Sequence, residues 1–277
     1  MLSFDKIFSQ RARSFLKAAL EEDIGSGDIT SELLIPKKAH GKAVIIAKQS
    51  GIFCGGPVIE ELFHIMDPKL RVTFLVDEGN PVKKNRTMVR IHGNIRSILE
   101  VERTALNFLG RLSAIATKTK QFIGKVRKDS VLILDTRKTT PLLREFEKYA
   151  VRVGGGKNHR MGLYDAILVK ENHRPHGDLS KLEKFKNRFE VEVRNMKEFH
   201  EVLKLSPQII LFDNFRPSSL RQAVQLARAK KPEVILEASG GITLENVSHY
   251  AAMGIDWISI GALTHTIKSL DFSLLVS

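Results

Sequence analysis

From residue 130 onward, short apolar runs of strand length alternate with stretches of helical periodicity, and this alternation constrains the fold more than any other feature of the chain. The runs fall at 131 to 134, 166 to 169, 188 to 193, 209 to 212, 234 to 238 and 257 to 260. Strand, helix and strand in succession require a crossover, so the strands are expected to be parallel, in an α/β sheet or barrel. Six runs are too few for a closed eight-stranded barrel, so an open or incomplete one is expected. Its chemistry belongs where the strands end, at Asp135, Lys170, Glu192, Asp213, Ser239 and Gly261.

The preceding residues read as a mixed α/β unit. Helical spacing covers Phe4 to Leu20 and Pro57 to Met66, and a loop is expected over Ile24 to Ser31. Strands are expected at Val44 to Lys48, Val72 to Val76 and Thr87 to His92, with turns at Gly79-Asn80-Pro81 and Gly93-Asn94. From Arg96 to about Val126 a single helical pattern links this unit to the alternating strands and helices.

A chain of 277 residues, 43% apolar, has material for one large or two modest domains. Its one cysteine, Cys54, excludes an internal disulfide. Met1 to Asp5 lacks the pattern of a leader peptide, and no apolar run reaches the ~18 residues of a membrane span. These features lead us to expect a soluble protein in the reducing cytoplasm. The formal charge of +13 brings nucleic acid into consideration. Yet pairs such as Lys37-Lys38 and Lys83-Lys84 are scattered among acids, and three Tyr and one Trp offer little for base stacking. The charge also suits small anionic ligands.

Arg137, Lys138, His159, Arg160 and Lys170 recur at strand ends and in the loop after Gly154-Gly155-Gly156, an arrangement suited to several phosphates and carboxylates at once. The three glycines fit neither a P-loop nor a dinucleotide fingerprint. Glu192 and Asp213, on consecutive strands, have the chemistry to hold Mg²⁺, directly or through water, or to stabilise a developing cation; each also fits a simple pair with a nearby lysine. Glu190 shares the face of Glu192. Ser239-Gly240-Gly241 and Ser259-Ile260-Gly261 join strands to helix starts, the usual place for a phosphate held by backbone N–H groups. His265 reads equally as a helix residue or a ligand, and Arg103 as a solvated partner of Glu100 or Glu102.

EEDIGSGDITS, ERTALNFLGRLSAIAT, DTRKTTP, YAVRVGGGKNHRMGLYDAILVKENH, FEVEV, LFDNF, EASGGI and SIGALTH together resemble the nicotinate-nucleotide pyrophosphorylase, or quinolinate phosphoribosyltransferase, family from about residue 16 to residue 271. The resemblance implies a type II phosphoribosyltransferase. Its N-terminal α/β sandwich domain would span 1–105, joined by the tail 266–277, and its incomplete α/β barrel 106–265. It implies transfer of phosphoribose from phosphoribosyl pyrophosphate to quinolinate with Mg²⁺, giving nicotinate mononucleotide, pyrophosphate and carbon dioxide for NAD synthesis. It assigns quinolinate to Arg103, Arg137, Lys138, His159, Arg160 and Lys170. Phosphoribosyl pyrophosphate falls to Lys138, Ser239, Gly240, Gly241, Gly261 and His265, catalysis to Lys170, Glu192 and Asp213, and the metal to Glu192 and Asp213. Arg103 would enter from a neighbouring subunit of a homodimer or larger homo-oligomer, with neither nucleic acid nor membrane as a partner.

Three positions depart from the family pattern: Leu142, where glycine often follows the proline; Ala114, where glycine is common; and Phe215, where methionine is usual. The competing readings are a molybdenum-associated homologue, expected to lack the lysine present here as Lys170, a barrel aldolase with Lys170 as Schiff base, and a nucleic-acid binder.

Overall fold

In the computed structural model, the alternation beyond residue 130 folds into a six-stranded sheet with every strand parallel. The order across it is Leu132–Leu134, Trp257–Ser259, Ile235–Ser239, Ile209–Asp213, Phe189–Val193, Ile167–Val169. The structure describes residues 3–126, 131–183 and 189–277, so Arg188, first in one expected strand, lies outside the described residues. The strands Leu132–Leu134 and Ile167–Val169 are consecutive in the chain but stand at opposite edges, so the sheet is an open barrel rather than a closed one. Phe189–Val193 is buried at all five positions, as a central parallel strand covered on both faces must be. The helices between strands carry an apolar stripe, such as Leu220, Ala223, Val224 and Ala227 on Pro217–Lys230.

Contacts divide the chain into two units. Met1–Lys120, Thr140–Gly155 and Thr266–Ser277 form the first; Gln121–Thr139 and Gly156–His265 form the second. The division expected at 105/106 therefore lies at 120/121, within the helix Ile95–Lys125. Residues 140 to 155, expected in the barrel, sit in the first unit, where Phe146 and Tyr149 pack on Phe8 at ring-centroid distances of 5.0 Å. Glu147, fully buried, takes the Arg111 Nε–H at 2.8 Å.

The first unit holds an antiparallel sheet in the order Phe272–Val276, His40–Ala47, Thr87–Asn94, Arg71–Phe74. Ala43, Ile45 and Ala47 alternate into its core. The single helix expected from Phe4 to Leu20 is two, Phe4–Ile7 and Gln10–Ile24, because Ser9 is extended and its Oγ caps the second by accepting the Ala12 N–H at 3.2 Å. Glu145 secures that break by taking the Ser9 N–H at 2.6 Å and the Oγ–H at 2.7 Å. The loop expected over 24 to 31 contains the start of a helix, Ile29–Leu34, capped by Asp28 at 3.1 and 3.0 Å from the Thr30 and Ser31 amides. Gly93 and Asn94, expected as a turn, end a strand opposite Gly41 and His40, and Asn94 Oδ1 accepts the Arg96 N–H at 2.9 Å where the long helix begins.

The helix Gly56–Met66 has no capping side chain of its own; Glu78 accepts the Gly55 and Gly56 N–H groups at 2.6 and 3.0 Å and the Tyr149 O–H at 2.8 Å. Burial pushes this carboxyl up, against the pull of those hydrogen bonds. No helix among the described residues is long and apolar enough to cross a membrane.

Leu142 has φ of 66° and is 63% exposed, which gives the family's glycine at this position a conformational reason. A left-handed side-chain-bearing residue costs about 1–2 kcal/mol and glycine gives back about 0.5–1 kcal/mol in unfolded-state entropy, so Leu142→Gly is expected to stabilise by roughly 0.5–1 kcal/mol. A urea midpoint that rises with an unchanged m-value would show this; a lower midpoint would mean that the leucine contacts outweigh the backbone cost.

Candidate active site

Matched positions on parallel strands share a face, so the register stacks the interior side chains in layers. Ile209 is matched with Glu190 and Ile235, Leu211 with Glu192 and Glu237, and Asp213 with Ser239, which is matched in turn with Ser259. Going toward the carboxyl ends, the second unit therefore presents Glu190, then Glu192 and Glu237, then Asp213, Ser239 and Ser259. A cavity of about 380 Å³ opens above them.

Around this cavity the structure gathers the cations Arg137, Lys138, Arg160 and Lys170, the carboxylates Glu192 and Asp213, and the imidazoles His159 and His265. Ser239, Gly240, Gly241 and Gly261 complete the wall on the side of the later strands. Arg103 is not among the lining residues; it is exposed on the long helix within the first unit.

The cationic side is held by buried polar anchors. Asp135, fully buried at a strand end, accepts the His159 N–H at 2.9 Å and is hydrogen-bonded by the Asn158 side chain, while Lys157 bridges to Leu134. Arg160 is 8% exposed and donates Nη1–H to Ala166 O at 3.0 Å. Burial and the nearby Arg137 guanidinium lower its pKa, against the pull of Glu190 and Asp165. Two guanidiniums lining one cavity suit a ligand with two negative charges. Thr264 Oγ1–H donates to Lys138 O at 2.7 Å and fixes the backbone beside the third cation.

Beneath these cations lies a buried cluster of His159, Glu190 and Glu237. His159 Nε2 is 3.1 Å from Glu190 Oε2 and 3.6 Å from Glu237 Oε2, and the two glutamates are 3% and 0% exposed. Burial disfavours an imidazolium here, but Glu190 and Glu237 outweigh it and lift the ring to about 10. The Arg160 N–H points the other way: it donates to His159 Nδ1 at 2.8 Å and needs a lone pair there. This bond calls for the ring proton on Nε2, toward Glu190, whose own pKa burial and Glu237 raise. The three side chains also offer metal-ligand atoms within 4.8 Å of one another. A metal on Nε2 requires a proton on Nδ1, which the Arg160 amide opposes.

On the other side Lys170 Nζ is hydrogen-bonded to Glu192 Oε2, while Glu192 Oε1 is buried with no hydrogen-bond partner among the described residues. Burial and the hydrogen-bonded Glu171 push the Glu192 carboxyl up to about 7, against the pull of Lys170. The glycine turn comes directly after Ser239. Gly240 and Gly241 have φ of 89° and 62°, and Asn214, itself at φ 53°, donates its N–H to Ser239 O at 2.9 Å.

Glu237 was not singled out from the sequence, and Ser259 only as the start of the Ser259-Ile260-Gly261 turn. Glu237 lies two residues before Ser239, so strand periodicity supplied the signal that also picks out Glu190 beside Glu192. Of the departures from the family pattern, Ala114 is buried within the long helix and Phe215 packs edge-on against Phe212 at 5.0 Å; both are packing positions outside the cavity lining.

The family model described as quinolinate phosphoribosyl transferase, C-terminal domain, matches residues 115–275, and that of the N-terminal domain matches residues 28–113. A probable carboxylating nicotinate-nucleotide pyrophosphorylase of Bacillus subtilis (strain 168) is 39% identical over 263 residues, covering 91% of this chain and 89% of the relative. A decarboxylating, mitochondrial quinolinate phosphoribosyltransferase of Nicotiana tabacum is 38% identical over 289 residues, covering 95% and 81%. Among solved structures, NadC from Streptococcus pyogenes superposes with a TM-score of 0.90 at 34% identity, covering 100% of this chain and 98% of the other. The nicotinate-nucleotide pyrophosphorylase of Francisella tularensis gives 0.89 at 36% identity, with 100% of each covered. With both halves matched, and relatives above 30% identity aligned over nearly the whole length, the chain belongs to the quinolinate phosphoribosyltransferase family.

Proposed function

We propose that this protein transfers phosphoribose from phosphoribosyl pyrophosphate to the ring nitrogen of quinolinate and releases the 2-carboxylate as carbon dioxide, in the synthesis of NAD. The observation that carries the reading is one cavity lined together by Arg137, Arg160 and Lys170, the glycine turn at Ser239 and the carboxylates of Glu192 and Asp213. Arg137, Lys138 and Arg160 take the two adjacent carboxylates of quinolinate, for which guanidinium forks are matched in shape and charge. The 5-phosphate lies on the turns at Ser239, Gly240, Gly241 and Gly261, and Lys138 and His265 face the pyrophosphate.

The bond from ribose C1 to the pyrophosphate oxygen breaks with its electron pair leaving on pyrophosphate, and the quinolinate nitrogen lone pair forms the new bond to C1. Glu192 and Asp213 stabilise the positive charge that develops at C1. The C2–carboxylate bond then breaks, its electron pair staying on C2 beside the cationic nitrogen until C2 takes a proton from water.

The site fits Mg²⁺: Glu192 has a buried oxygen without a hydrogen-bond partner, and two carboxylates plus ligand phosphates are a usual oxygen set for this ion. Glu192 and Asp213 would hold it, directly or through water, and when bound it supplies charge neutralisation of the pyrophosphate. Arg103, exposed and outside the cavity lining of its own chain, completes the quinolinate site of a second subunit, which makes the working form at least a homodimer. The single cysteine is fully buried and suits a reducing, cytoplasmic setting.

The test is release of labelled carbon dioxide from quinolinate labelled at the 2-carboxylate, with phosphoribosyl pyrophosphate and Mg²⁺, each omitted in turn. Release that needs all three supports the reading; none from folded protein would redirect attention to other ring acids and to the molybdenum-associated branch. Arg137→Ala is expected to raise the quinolinate KM by roughly 10- to 100-fold with a normal melting curve. An unchanged KM would remove Arg137 from the carboxylate site.

A further inference from the structure

We propose that Glu190 and Glu237 are positioning residues: from beneath the cavity they clamp the His159 ring, which in turn fixes the backbone of Arg160 and so the aim of its guanidinium. The inference rests on the reading that Arg160 receives a carboxylate of quinolinate. Both nitrogens of the ring lie against protein groups. Nε2 is buried between the two carboxylates at 3.1 and 3.6 Å, and Nδ1 receives the Arg160 N–H at 2.8 Å. The imidazole thus turns Nε2 toward the two carboxylates and Nδ1 toward the Arg160 amide, and its part is to hold the next residue in place. A hydrogen bond from a backbone amide to the preceding side chain fixes the turn at Arg160, whose side chain is tied again at Ala166 O.

The clamp needs two carboxylates for a geometric reason. Glu190 and Glu237 stand on strands that flank Ile209–Asp213 on either side, one layer apart in the register, so they approach the ring from two directions and leave it one orientation. Neither glutamate is required by the transfer chemistry, and Glu190 Oε1 and both oxygens of Glu237 are buried with no hydrogen-bond partner among the described residues, so Glu237 acts on the ring through its charge at 3.6 Å. Two buried acids without a full set of donors are costly to keep in a sheet interior. Orienting His159 gives them a use that offsets this cost.

Two measurements test the clamp. In the intact enzyme, the ring nitrogens of His159 are read by NMR with ¹⁵N-histidine, the signal assigned by its loss in His159→Gln. Nδ1 is expected to be unprotonated both without quinolinate and with quinolinate bound; an Nδ1 that gains a proton on quinolinate binding would make His159 a direct ligand and overturn the proposal. In kinetics, Glu190→Ala is expected to raise the quinolinate KM by about tenfold or more while the phosphoribosyl pyrophosphate KM stays within about twofold, and Glu190→Gln, which keeps an acceptor, is expected to restore most of the affinity. An equal loss for both substrates, or none for either, would refute the positioning role. Wild-type protein that binds no quinolinate but shows the unprotonated Nδ1 would sink the functional reading and leave the clamp standing.

Discussion

Lys170→Ala is expected to lower kcat by roughly 10²- to 10³-fold, the usual effect of deleting one preorganised electrostatic partner from a reacting centre. Lys170 Nζ is hydrogen-bonded to Glu192 and is the cation that opposes burial and Glu171 in setting its protonation. With the lysine gone, the carboxyl moves further above about 7, so less of it is ionised at neutral pH and less negative charge faces the developing cation at C1. The melting temperature should change little, because the Lys170 side chain is 42% exposed. Retention of most activity would remove Lys170 from the chemistry. The same variant tests the shared site. Mixed with Arg103→Ala protein under subunit exchange, it should recover about 25% of wild-type activity, since half the random dimers are mixed and each of these has one intact site. No recovery would place Arg103 in its own chain's function.

Gly240→Ala is expected to damage the phosphate turn more than any other single-methyl change in the cavity. A Cβ at this position would lie 2.2 Å from Asn214 Oδ1 and 2.5 Å from its Cγ, and the φ of 89° is one that side-chain-bearing residues rarely adopt. Asn214 has little freedom to yield, because its Nδ2–H donates to Asp213 Oδ2 at 2.9 Å and its backbone N–H to Ser239 O. The turn must therefore move, taking with it the amides proposed to hold the 5-phosphate, and the carboxylate of Asp213. A rise of roughly 10²-fold in the phosphoribosyl pyrophosphate KM is expected, with quinolinate binding to the free enzyme nearly unchanged, together with about 1–2 kcal/mol lost from stability. Equal weakening of both ligands would mean that the damage spreads beyond the turn, and unchanged kinetics would move the phosphate elsewhere.

What the sequence by itself determined is local. The six runs that alternate with helical periods specify parallel strands and place Asp135, Lys170, Glu192, Asp213, Ser239 and Gly261 at their ends, because both periodicities and strand ends are read from adjacent residues. The glycine turn after Ser239 was legible for the same reason. Only the tertiary structure decided what depends on partners remote in the chain. Glu145 splits the first helix at Ser9, and Glu78 caps a helix that begins at Gly56. Residues 140 to 155 leave the barrel for the first unit because Phe146 and Tyr149 find Phe8 there. The buried His159 cluster belongs to the same class: strand order puts Glu190 and Glu237 on either side of Ile209–Asp213, and no spacing along the chain announces that neighbourhood. Backbone preference is a property of a few consecutive residues, whereas a buried carboxylate takes its meaning from whatever packing brings within about 3 to 4 Å of it.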